Sequence, residues 1–131
     1  MEELAPKLDI LVIAAPYTKE THHLVNEKVF KSMKDGTYLV NIARGSIIDE
    51  LALIENLQNG KVRKAALDVF EKEPLPENNP LWSMDNVLIS PHNSWASEMN
   101  FRRRYEIAYG NMKRYINNEE LVNVVDVEKG Y

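Results

Sequence analysis

Four short apolar runs, each closed by a polar or helix-breaking residue, constrain this chain more than any other feature. Residues 10–15 read I-L-V-I-A-A and stop at Pro16, the pattern of a buried parallel strand. Three further runs follow at residues 38–42, 65–69 and 87–90, and helix-type segments separate the first three. Asn26 is placed to cap a helix bearing Val29, Phe30 and Met33, which Gly36 ends. Asp49 is placed to cap a second, bearing Ala52, Leu53 and Leu57, which Asn59 and Gly60 end. Such alternation predicts an α/β fold with a parallel, layered sheet. Four strands make a small sheet, so one face or edge is expected to need a partner.

Residues 71–82 read E-K-E-P-L-P-E-N-N-P-L-W and are too rich in proline for a helix. An ordered loop is expected there, with Leu75, Leu81 and Trp82 buried. A last helix is predicted from near Ser97, because Phe101, Tyr105, Ala108, Tyr109, Met112, Tyr115 and Ile116 fall on one helical stripe, read as packing. Residues 121–127 are β-prone, with no evident partner strand.

Composition narrows the function classes. A chain of 131 residues fits one ordinary domain, and 44% hydrophobic with 27% charged residues is the balance of a globular protein. The net charge of −4 gives no reason to expect a nucleic-acid or acidic-membrane partner. There is no cysteine, which excludes disulfides, thiolate catalysis and zinc–thiolate sites, and no metal site is expected. The apolar runs are too short to span a bilayer, and the start M-E-E-L-A-P-K-L is unlike a signal peptide. A cytoplasmic protein is the default expectation.

The ends of the apolar runs carry the chemistry. Arg44, Asp68 with Glu73, and His92 lie at or just beyond predicted strand ends, where open α/β sheets bind ligands. An arginine, a carboxylate and a histidine are the parts needed to grip a carboxylate and move a proton. Each also has a plainer reading. His92 after Pro91 suits a loop, Arg44 before Gly45 could pair with Asp49, and Asp68 could cap the following turn. Glu71 and Glu73 sit in an acidic loop where most carboxylates are solvated. His22 and His23 have no partner in sequence and read as helix-entry or surface residues. Arg102, Arg103 and Arg104 read as a solvated helix face, and Trp82 and Trp95 as core or interface residues.

Several segments go further. D-I-L-V-I-A-A-P-Y-T-K-E-T-H-H-L-V, K-D-G-T-Y-L-V-N-I-A-R-G-S-I-I-D-E, A-A-L-D-V-F-E-K-E-P-L-P and N-P-L-W-S-M-D-N-V-L-I-S-P-H resemble the C-terminal portion of the D-isomer-specific 2-hydroxyacid dehydrogenases, from about residue 9 to residue 124. The resemblance implies a Rossmann-type parallel sheet, with residues 1–131 forming the second half of a nucleotide-binding domain. It implies hydride transfer between NAD or NADP and a small D-2-hydroxy or 2-oxo acid. Arg44 would orient the substrate, His92 would be the acid/base, and Glu73, directly before Pro74, would be its carboxylate partner, with Glu71 the competing candidate. Asp68, and the backbone around Ala43, would meet the nicotinamide carboxamide, with Arg44 and His92 beside it. Pro16 and Thr21 would lie toward the ribose and adenosine.

Two departures from the family pattern stand out. The G-x-G-x-x-G fingerprint is absent, since Gly36, Gly45, Gly60, Gly110 and Gly130 are too far apart to form it. The 131 residues are therefore expected to be a fragment of a longer enzyme, inactive alone. Trp95 stands in H-N-S-W-A-S, where many members have glycines, and is expected to narrow the pocket. An exposed sheet edge is expected to pair two copies into a homodimer. The alternative is a non-catalytic, cofactor-binding module of the corepressor kind.

Overall fold

The computed structural model describes residues 1–130, in two compact units, Met1–His92 and a second from Asn93 onward. Among the described residues of the first unit, β1 (Ile10–Ile13), β2 (Thr37–Asn41), β3 (Val62–Leu67) and β4 (Val87–Ile89) form a wholly parallel sheet in the order β1-β2-β3-β4. Helix α1 (Glu27–Ser32) joins the first two strands and α2 (Glu50–Gln58) the next two. The crossover from β3 to β4 is the acidic, proline-rich loop, whose only regular piece is a 3-10 turn at Pro80–Ser83.

Both predicted caps are in place. The Asn26 side chain accepts from the amides of Lys28 and Val29, and Asp49 accepts from Ala52. Each satisfies amides that have no partner within the helix. The helices bury Val29, Phe30, Leu53 and Leu57 in one core with Leu11, Ile13, Leu39, Ala65 and Leu67 of the sheet.

The other face of the sheet differs from expectation. Residues 10–15 read as a strand buried on both sides, yet Ile10 is 58% exposed and Val12 55%. Registers Ile10↔Tyr38, Val12↔Val40 and Ala66↔Leu88 place those two residues in a row with Tyr38 and Leu88, which are also exposed. Side chains alternate between the faces of a strand, and only the face bearing Leu11, Ile13 and Leu39 enters the helix-covered core. Strand β3 also starts earlier than the apolar run suggested. Arg63 and Lys64 belong to it, with Lys64 paired to Tyr38, and their exposed side chains keep them out of an apolar pattern, while Asp68 and Val69 fall beyond its end.

Leu75 and Leu81 are buried as expected, but Trp82 is 55% exposed. Its indole N–H donates to the Pro76 carbonyl at 3.0 Å, which holds the ring on the loop surface.

The second unit holds α3 (Glu98–Ile116), capped by Ser97, whose side chain accepts from the Asn100 amide. Its aromatic stripe was expected to pack, but no residue of α3 is buried. The stripe stacks on itself instead, with the Tyr105 and Tyr109 ring centroids 6.0 Å apart. Arg102 pairs with Glu106 one turn on. Trp95 meets Phe101 edge-on at 5.6 Å and carries Arg104 near its ring. Residues 121–127 form no strand.

The one-sided core gives a direct expectation. Phe30→Ala should lower the unfolding free energy of the 131-residue chain by about 3–5 kcal/mol, the usual cost of removing a fully buried phenylalanine. Val12→Ala, although also in the apolar register, should cost less than about 1 kcal/mol because its side chain is already in water. Urea denaturation of both variants checks this, and equal losses would contradict the open face.

Candidate active site

Parallel pairing sends every strand's C-terminal end to the same edge of the sheet. Three chain segments leave that edge beside one another. They are residues 42–49 after β2, residues 68–74 after β3 and residues 90–92 after β4.

The segment after β2 is built by Asn41, which the sequence reading treated only as a strand residue. Asn41 is almost fully buried, and its side chain accepts from the Ala43 amide and donates to the Arg44 carbonyl. That pair of bonds folds the chain sharply and turns the Arg44 side chain outward. Arg44 is exposed, with its guanidinium 2.6 Å from the Ala43 carbonyl. It does not pair with Asp49, whose carboxylate caps α2 instead. Gly45 follows, packed so tightly on residues 70 and 71 that a Cβ would collide with the Phe70 carbonyl. The close approach of these two segments therefore requires glycine at this position.

Asp68, just past β3, is 3% exposed, and its carboxylate accepts the Ser90 hydroxyl at 2.5 Å. This bond ties the segment after β3 to the one after β4. The Glu73 side chain folds back so that Oε1 accepts from the Phe70 amide at 3.0 Å. Its Oε2 lies 2.7 Å from His92 Nδ1. His92 is reached through a backbone with φ of +51°, the left-handed region, in which histidine is more frequent than most residues.

The sequence left Glu71 and Glu73 as competing partners for His92, and the structure separates them. Glu73 holds His92, while Glu71 lies 2.7 Å from Nε2 of His23. His23 is therefore not the unpartnered surface residue that its sequence context suggested. Asn41, Gly45, Ser90 and the His23–Glu71 pair are what sequence reasoning missed. Only Asn41 and Gly45 left a usable trace, in the run N-I-A-R-G directly after a strand.

A cleft of about 390 Å³ is lined by Tyr17, Arg44, Ser46, Glu71, Glu73 and His92, among others. A larger one of about 690 Å³ is lined by Phe70, Leu75, Trp82 and Ile89, together with Glu73 and His92. The Glu73–His92 pair thus stands between the two. Binding of an anion favours the smaller cleft, because Arg44 lines it and does not line the larger. Thr21 and Pro16 occupy the loop after β1, where the Thr21 hydroxyl donates to the Pro16 carbonyl at 3.0 Å. Among the described residues, no cluster of acidic or histidine side chains could hold a metal ion, and no helix is long and apolar enough to cross a membrane.

The charge on Glu73 has identifiable determinants. Partial burial is the largest and acts to raise its pKa. The hydrogen bond from His92, the Phe70 amide and the positive charges of His92 and Arg44 together outweigh burial, so the carboxyl lies below its ordinary 4.5. Glu73 is therefore a carboxylate throughout the neutral range.

Residues 1–94 match the family model described as D-isomer specific 2-hydroxyacid dehydrogenase, NAD binding domain. The chain is 41% identical to a glyoxylate reductase of Thermofilum pendens, over 98% of this chain and 40% of that protein. It is 39% identical to a D-3-phosphoglycerate dehydrogenase of Methanocaldococcus jannaschii, over 97% of this chain and 24% of that protein. Among solved structures, a D-isomer specific 2-hydroxyacid dehydrogenase of Xanthobacter autotrophicus, in complex with NADPH and MES, superposes with a TM-score of 0.89 at 38% identity. It covers 98% of this chain and 54% of its own. The holo form of Rhodotorula graminis D-mandelate dehydrogenase gives 0.88 at 34%, over 99% and 38%. The chain thus spans well under half the length of these two curated relatives.

The depressed Glu73 pKa sets a sign for acid stability. Ionised Glu73 stabilises the fold above the ordinary carboxyl value of 4.5, and that contribution is lost as pH falls from there through the folded value. In urea titrations between neutral pH and pH near 3, wild type should be the more stable at neutral pH, and its lead over Glu73→Gln should shrink below pH 4.5. A lead independent of pH would contradict the assignment.

Proposed function

This chain belongs to the D-isomer-specific 2-hydroxyacid dehydrogenase family, and on that premise we propose that the full-length protein is an NAD- or NADP-dependent oxidoreductase interconverting a D-2-hydroxy acid and its 2-oxo acid. The observation that carries this reading is the 2.7 Å contact between Glu73 and His92 in a cleft that Arg44 also lines.

Reduction of a 2-oxo acid needs a hydride at the carbonyl carbon and a proton at its oxygen. The nicotinamide, when bound, supplies the hydride. The residues of the chain bind, orient and protonate. Arg44 presents a planar, permanently charged fork that takes a carboxylate through two hydrogen bonds. It also stabilises negative charge growing on the carbonyl oxygen. His92 is assigned the proton transfer, because imidazole works in both directions near neutrality. With Nδ1 held by Glu73, Nε2 is the nitrogen that hands over the proton, and the carboxylate fixes the orientation of the ring.

The strand-end groups suit the nicotinamide end of the cofactor. The Asp68 carboxylate accepts hydrogen bonds, an amide N–H donates them, and Asp68 is fixed by Ser90 at the mouth of the sheet. Asp68, the Ala43 backbone, Arg44 and His92 would hold the carboxamide and the ring. Pro16 and Thr21 would face the ribose and adenosine. The glycine fingerprint for the pyrophosphate is absent from these 131 residues, which supports the proposal that they do not turn over substrate alone. The open apolar row Ile10, Val12, Tyr38 and Leu88 supports self-association as a homodimer, which light scattering would register.

Turnover of glyoxylate or hydroxypyruvate with NADH and NADPH tests the reading on the full-length protein. His92→Ala should lower kcat/KM at least about a hundredfold, as for loss of a positioned general acid. Arg44→Gln should both raise KM for the 2-oxo acid and lower kcat, because the guanidinium holds the carboxylate and the developing charge. Cofactor binding without turnover of any 2-oxo acid would contradict the reading.

A further inference from the structure

The His23–Glu71 pair lies outside the proposed catalytic set, and its surroundings give it a purpose. Residues 23–25 run beside residues 46–48 as a short parallel ribbon. The His23 amide donates to the Ser46 carbonyl at 2.9 Å, Val25 donates to Ile47 at 3.1 Å, and Asp49 donates to Val25 at 3.0 Å. Val25, Ile47 and Ile48 are all buried, so this ribbon is anchored in the core. It braces one side of the segment that carries Arg44.

The other side of that segment meets the loop that carries Glu73. Glu50 and Glu71 exchange bonds there. The Glu71 amide donates to Glu50 Oε2 at 3.1 Å, and the Glu50 amide donates to Glu71 Oε1 at 3.4 Å. Asn79 donates to the remaining oxygen of Glu50 at 2.8 Å. The same Glu71 Oε1 is the atom that His23 Nε2 reaches at 2.7 Å. One imidazole and two carboxylates therefore join three loops, and the charged groups around them are Arg44 and Glu73 across the cleft.

We propose that His23, Glu50 and Glu71 are positioning residues, a clasp that fixes the separation between Arg44 and the Glu73–His92 pair. The proposal rests on the activity proposed above for its kinetic consequence, but its structural content stands without it. Glu71 is two residues from Glu73 on the same loop, and Ser46 is two residues from Arg44. Releasing the clasp loosens the fork that holds the carboxylate relative to the group that delivers the proton. Neither His23 nor Glu71 need touch the substrate for this to happen.

The test uses the full-length protein with glyoxylate as substrate. His23→Asn removes the imidazole while keeping a residue that tolerates the positive φ of 48° at this position. Glu71→Ala removes the shared acceptor, and Glu71→Gln keeps an oxygen in its place. His23→Asn and Glu71→Ala should each raise KM for glyoxylate at least about fivefold, since small misplacements of binding groups are costly. NADH affinity should stay unchanged. Glu71→Gln should recover part of the loss seen in Glu71→Ala, and the double variant His23→Asn/Glu71→Ala should be no worse than Glu71→Ala alone, as for partners in one interaction. A mere loss of folded protein lowers the apparent kcat and leaves KM in place. Unchanged KM in His23→Asn, or effects that multiply in the double variant, would overturn the proposal.

A second readout does not depend on turnover. Hydrogen exchange at the Glu50 and Glu71 amides should quicken at least about tenfold in His23→Asn, as for a locally opened contact. If wild type reduces no 2-oxo acid, the activity reading fails while exchange still judges the clasp. Unaltered exchange at both amides would overturn it.

Discussion

Parallel strand pairing is the constraint on which everything else here depends. Because β2, β3 and β4 run the same way, the segments that follow them leave from one edge, and Arg44, Glu73 and His92 meet there although 48 residues separate the first from the last. An antiparallel partner would have sent one of these groups to the opposite edge. Caps and core serve that alignment. Asn26 and Asp49 start the helices, Phe30 and Leu53 seat them on the sheet, and the strand ends are left pointing at a common crevice.

At that edge, short side-chain bonds convert strand ends into fixed positions. Asn41 shapes the turn before Arg44, Ser90 locks Asp68, and the Phe70 amide bends Glu73 back toward His92. Gly45 allows the two loops to touch. The result is a carboxylate held ionised beside an imidazole, with a guanidinium on the same cleft wall. These are the electrostatics that a proton-transfer site acting on an anionic substrate requires.

Much of this was legible in the sequence, and the misses have physical causes. Apolar runs and caps gave the strands and both helices of the first unit, because local periodicity and capping chemistry are short-range. The same runs could not reveal which face of the sheet would be covered, since Val12 looks no different from Leu11 until the helices have a side. Strand β3 began early because Arg63 and Lys64 sit on exposed positions that an apolar pattern omits. The stripe on α3 was read as packing, but a period of 3.6 residues predicts a face and not its partner. His23 and Glu71 are 48 residues apart, and nothing local links them. Trp82 was expected inside, yet the Pro76 carbonyl offers its indole a partner at the surface.

In the proposed reaction, Arg44 and His92 act on one bound 2-oxo acid. The most direct measurement is a crystal structure of the full-length protein with cofactor and oxamate, an unreactive amide analogue of such an acid. The oxamate carboxylate is expected on the Arg44 guanidinium, with the adjacent carbonyl oxygen about 2.6–3.2 Å from His92 Nε2. Oxamate bound away from Arg44, or with its carbonyl turned from His92 while Glu73 still holds the ring, would contradict it.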